Sequence, residues 1–87
     1  MNDVELQRLV LKKYYEKRHF TNVRLKPKDF DFPITDDDII RMSMKLKELN
    51  LINIKEDIDY KGIKTFKFGN IKIEAISKLE KKHKVSY

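Results

Sequence analysis

The segment PITDDDIIRMSMKLKELNLI, residues 33–52, decides how this chain is read. Thr35 is a good N-cap, because its side-chain oxygen can accept from an unpaired amide of the first turn. Asp36, Asp37 and Asp38 follow where the helix dipole favours negative charge. Ile39, Met42, Leu46 and Leu49 then recur at helical spacing as an inward stripe. Asn50 can adopt the left-handed conformation that ends a helix, and Leu51 can close that end hydrophobically. Start, face and stop agree, so a helix over 36–49 is the best-specified element of the chain.

After it the apolar period changes from 3.6 to 2. Residues 51–58 (or 52–58) and 63–68 read as two strands joined by the DYKG turn, in which Gly62 can take positive φ without steric cost. Gly69 and Asn70 are expected to break the second strand. A further helix then runs through Ile71, Ala75, Ile76 and Leu79, giving way to a solvated basic tail from about Lys81. Before the decisive segment, residues 3–18 form a first helix. Asn2 is its N-cap, Glu5 reaches back in the manner of a capping box, and Leu6, Leu9, Val10 and Tyr14 point inward. The intervening residues 19–34 show no sustained period. Pro27 and Pro33 interrupt any long helix, leaving room for one helical turn over 27–30 and one short strand. Phe20, Val23, Leu25, Phe30 and Phe32 are too apolar for a free linker and are expected to fold over the core edge. Helix, irregular linker, capped helix, hairpin, helix is the order of an α+β winged helix-turn-helix, here a single domain over all 87 residues.

The chain resembles the YjcQ-like proteins, small winged-helix proteins of Firmicutes and their phages. The similarity lies in LQRLVLKKYYE (6–16), in ITDDDIIRMSMKLKELNLI (34–52) with its threonine-acidic start and Leu-x-x-x-Asn-Leu-Ile end, and in GNIKIEAISKLEKKH (69–83). It departs where Lys72 replaces the usual threonine and Ala75 the usual glycine. The resemblance implies the fold and a possible phage origin, but no particular activity.

Composition sets further bounds. Twenty basic residues against 14 acidic ones leave a net charge of +6. The balance favours an anionic partner, although biased genome composition produces the same excess. Its distribution is uneven: residues 71–87 carry +3, whereas residues 35–50 carry −1. With no cysteine, neither disulfides nor a thiolate metal site can brace the fold, which suits a reducing, cytoplasmic setting. No apolar run approaches the ~20 residues that span a bilayer, so no membrane role is expected. His19 and His83 lie apart beside lysines, and the two glycines form no phosphate loop. The aspartate trio projects at about 100° intervals around its helix, so it cannot converge on one cation. We therefore expect no catalysis, no cofactor, no metal and no small-molecule substrate.

Two binding roles remain. With Ile39 at 0° and about 100° per residue, the core stripe of the decisive helix centres at about 330°. The opposite face holds Asp37, Ile40, Arg41, Met44 and Glu48, with Lys45 and Lys47 flanking. Arg41 can read guanine and Lys45 a phosphate, as a recognition helix requires. The acidic neighbours offset them, however, which shifts duplex DNA contact towards the wing lysines Lys55, Lys61, Lys64 and Lys67, with Tyr60 at the tip. Those lysines equally suit protection of an exposed strand edge. The alternative is a protein-interaction module or homodimer, in which Ile40 and Met44, four residues apart, form an exposed apolar ridge.

Overall fold

A computed structural model describes residues 2–84 of the chain. Three α-helices and a two-stranded antiparallel hairpin enclose one core, an α+β arrangement. Helix α1 spans Asp3–Glu16 and is capped by Asn2, whose Oδ1 accepts from the Glu5 amide at 2.8 Å. It buries Leu6, Val10 and Tyr14, while Leu9 is only half-buried. It ends two residues short of the sequence expectation. There the Arg18 guanidinium folds back over the Tyr15 ring at 4.2 Å and donates to the Tyr15 carbonyl at 3.1 Å.

The linker carries more structure than its composition suggests. Val23 exchanges two backbone hydrogen bonds with Gly69, at 3.1 and 2.8 Å, and so adds an isolated bridge to the hairpin edge. A single 3-10 turn over Pro27–Asp29 follows, with the Asp29 carboxylate accepting from the Lys26 amide at 2.8 Å. Val23, Leu25 and Phe30 are buried, and half-buried Phe32 meets Phe30 edge-on. Phe20 does not fold over the core: it is 68% exposed. Asn22 takes φ 58° just after it, and the left-handed turn carries the chain inward only from Val23.

Helix α2, Asp36–Glu48, has the capping box that its sequence implies. Thr35 Oγ1 accepts from the Asp38 amide at 3.1 Å, and Asp38 Oδ2 accepts from the Thr35 amide at 3.3 Å. At the other end Asn50 adopts φ 60°, and the amides of Asn50 and Leu51 donate to Lys47 and Leu46 carbonyls, the paired bonds of a Schellman motif. Ile39, Met42, Ser43 and Leu46 are buried. Leu49, expected on this stripe, is 55% exposed. It sits at the C-cap where the chain turns away, and Ser43 holds the opposite edge of the buried face instead.

Strands β1 (Ile52–Ile58) and β2 (Lys64–Ile71) pair from Ile52↔Ile71 to Ile58↔Lys64. The register shifts between Lys55 and Glu56, leaving Lys67 as the extra residue of a bulge on β2. Gly69 and Asn70 do not break this strand. Gly69 is buried within it because the Tyr14 ring lies on its backbone: a Cβ there would stand 3.1 Å from Tyr14 Cε1 and the phenol oxygen. The Tyr14 hydroxyl meets Ser43 Oγ at 2.7 Å, so one buried polar pair joins α1 to α2 directly beneath β2.

Helix α3, Ile73–Lys84, is tied to the body by the Lys72 amide, which donates to the Leu51 carbonyl at 3.0 Å, and by buried Ala75. It runs three residues beyond Lys81, where the sequence places the start of a solvated tail. The remainder of that tail, residues 85–87, lies outside the described residues. Among the described residues, no helix is long and apolar enough to cross a membrane.

Candidate nucleic-acid interface

The outward face of α2 is governed by a residue from another helix. Asp3, in the first turn of α1, faces the middle of α2, and its Oδ2 accepts from Arg41 Nη1 at 3.0 Å and pairs with Lys45 Nζ at 3.5 Å. Arg41 Nη2 donates to Asp38 Oδ1 at 3.1 Å, so Arg41 bridges two carboxylates. The Arg41 hydrogen bond, and then its charge, hold the Asp3 carboxyl below the ordinary carboxylate range, with Lys45 adding to the effect. Asp38 is lowered too, first by Arg41 and then by the Thr35 amide. In return the hydrogen bonds from Asp3 and Asp38 raise Arg41. The structure thus brings Arg41 and Lys45 together, but around an acid that competes with any phosphate for both.

Sequence reasoning does not find Asp3. Locally it is an ordinary first-turn acid, and 38 residues separate it from Arg41. Only the crossing of α1 over α2 brings the two together.

The hairpin lysines are placed differently. Lys55 on β1, Lys61 in the turn and Lys64 on β2 are exposed and have no ion-pair partner among the described residues. Lys67 is paired with Asp57 at 3.6 Å. The turn is held firmly. Asp59 Oδ1 accepts from the amides of Lys61 and Ile63 at 2.8 and 2.9 Å, and Gly62 takes φ 81°. This geometry spends the Asp59 carboxylate on the backbone. It also projects Tyr60, 92% exposed, between Ile58 and Ile63, with Lys61 Nζ 5.6 Å from its ring centroid. At the hairpin's inner edge Arg24 donates to the Phe66 carbonyl at 3.0 Å and stacks on the Phe66 ring at 5.0 Å.

Ile40 and Met44 share a face of α2 one turn apart, but both are half-buried. They therefore present less apolar surface than the bare ridge read from the helical wheel. The large apolar side chains that are exposed near the lysines are those of the hairpin end. No group of three or more histidine, cysteine or acidic side chains able to hold a metal occurs among the described residues. No family model, curated protein or solved structure matches the chain.

Proposed function

We propose that this chain is a small cytoplasmic winged-helix protein of regulatory role that contacts duplex DNA chiefly through its hairpin. Several features support the winged-helix reading. The Val23 bridge stands where a first short strand belongs, the 3-10 turn where a second helix belongs, and α2 leads through a capped stop into the hairpin as wing. The order is also that of the YjcQ-like proteins which the sequence resembles.

One observation carries the functional reading. Arg41 and Lys45 are held by Asp3 and Asp38, whereas Lys55, Lys61 and Lys64 stand on the hairpin without acidic partners among the described residues. Cations that need not leave an ion pair are the ones that release phosphate counterions at least cost. Tyr60, with its apolar neighbours at the tip, suits contact with sugar and base edges in a minor groove. In this reading α2 positions the wing and reads little sequence itself.

Fluorescence anisotropy on a labelled duplex, titrated from ~50 to ~200 mM salt, tests it. Affinity should fall linearly on logarithmic axes. Lys61→Ala with Lys64→Ala should reduce the slope by about 1.8, at ~0.9 for each phosphate that is no longer neutralised. Asp3→Asn should strengthen binding modestly by freeing Lys45 and one of the two carboxylate contacts of Arg41, which stays paired with Asp38. Absence of duplex binding at ~50 mM salt rejects the proposal. The second reading, self-association or a partner contact through Ile40 and Met44, has less exposed apolar area behind it. A Met44→Asp variant with a lower sedimentation coefficient than the parent would favour it.

A further inference from the structure

Side chains of α1 and α3, with Leu51 at the entry to β1, line a trough. One part, of about 410 Å³, is lined by Arg8, Leu11, Lys12, Tyr15, Glu16 and Leu79. A second, of about 230 Å³, shares Leu11 and Leu79 with it and continues past Ala75 to Lys78. The floor is therefore aliphatic and aromatic. Along α1 it runs from Arg8 to Glu16, about 12 Å at ~1.5 Å per residue, or roughly two turns of an opposed helix.

The rim charges are not balanced. Glu16 is held by Lys13 at 3.5 Å, and Glu80 accepts from the Tyr15 hydroxyl at 3.5 Å. Arg8, Lys12 and Lys78 are exposed and have no ion-pair partner among the described residues. Arg8 and Lys12 lie four apart on α1 and so project from one edge of the trough, while Lys78 projects from α3. An apolar floor two helical turns long beneath a cationic rim is complementary to one kind of occupant. We infer that the trough between α1 and α3 docks an acidic amphipathic helix of a partner protein. Apolar side chains at i, i+4 and i+7 would fill the floor over Leu11, Tyr15 and Leu79, and glutamate or aspartate would face Arg8, Lys12 and Lys78. A nucleic acid would satisfy the rim but leave the floor unfilled. The inference does not depend on DNA binding by the hairpin.

Selection of a displayed library of helical peptides against the intact protein tests it. Enriched peptides should carry that apolar spacing with net negative charge, and the bound peptide should shift the NMR resonances of Leu11, Tyr15 and Leu79. Lys12→Glu with Lys78→Glu, two surface changes that leave the core intact, should weaken the best acidic peptide at least tenfold. The same peptide with its acids changed to lysine should then regain affinity. Leu79→Lys should also abolish binding, with circular dichroism to confirm that α3 still forms. Four results would overturn the inference: no enrichment, peptides mapping away from the trough, indifference to the charge exchange, or a duplex or second protein copy shifting the same three resonances.

Discussion

Removing the Ser43 hydroxyl is the sharpest probe of how α1, α2 and β2 are held together. Tyr14 and Ser43 are both fully buried, and their oxygens lie 2.7 Å apart. Ser43→Ala strands the phenol hydroxyl in the core, at a cost of about 1–3 kcal/mol. The better helix propensity of alanine at this α2 position returns ~0.5 kcal/mol. A net loss of about 1.5 kcal/mol follows, which for a domain this small lowers Tm by roughly 6–12 °C. Tyr14→Phe should cost less, about 0.5–1.5 kcal/mol, because the Ser43 hydroxyl can turn to a carbonyl of its own helix. The double variant orphans neither group, so its loss should fall short of the summed single losses by about 1 kcal/mol. Denaturant unfolding of the four proteins, followed by circular dichroism, measures that coupling. Strict additivity, or a Ser43→Ala protein more stable than the parent, would refute the reasoning. The same phenol offers a second readout. Burial raises the Tyr14 hydroxyl above the ordinary tyrosine value, against smaller lowering by Ser43 and Arg24. A group with a raised folded pKa contributes stability that is complete below its unfolded value and lost as pH climbs past it. The parent should therefore lose stability above about pH 10 more steeply than Tyr14→Phe does.

Other perturbations follow from the same packing. Gly69→Ala sets a methyl 3.1 Å from Tyr14 and 3.3 Å from the Asn53 carbonyl, and should cost about 1–3 kcal/mol in thermal unfolding. Asn50→Val, forced into φ 60°, should cost about 1–2 kcal/mol, whereas Asn50→Gly should be neutral or stabilising. Asp3 and Asp38 have folded pKa values below their unfolded ones, so their contribution is present above the ordinary carboxylate value of about 3.9 and disappears as pH falls through the folded values. Arg41→Ala should make acid unfolding less steep in that window; an unchanged acid titration would show that the bridge carries no stability.

What the sequence determined by itself is the set of elements whose ends are closed within a few residues. Thr35 with Asp38, Asn50 with Leu51, Asn2 with Glu5 and the Asp59–Gly62 turn act over separations of about five residues or fewer, so their side chains announce α2, α1 and the hairpin before any packing occurs. The tertiary structure alone decided the rest. Gly69 reads locally as a strand breaker, yet it lies inside β2 because Tyr14, 55 positions earlier in the chain, needs the space that a side chain would fill. Leu49 and Phe20 are apolar at plausible positions, but the backbone turns away from the core at both. The pairing of Arg41 and Lys45 with Asp3 arises only when α1 crosses α2. Capping and turn chemistry are short-range and survive in the sequence as local pattern. Burial and charge pairing depend on which surfaces meet, and that is settled only once the helices and hairpin have packed.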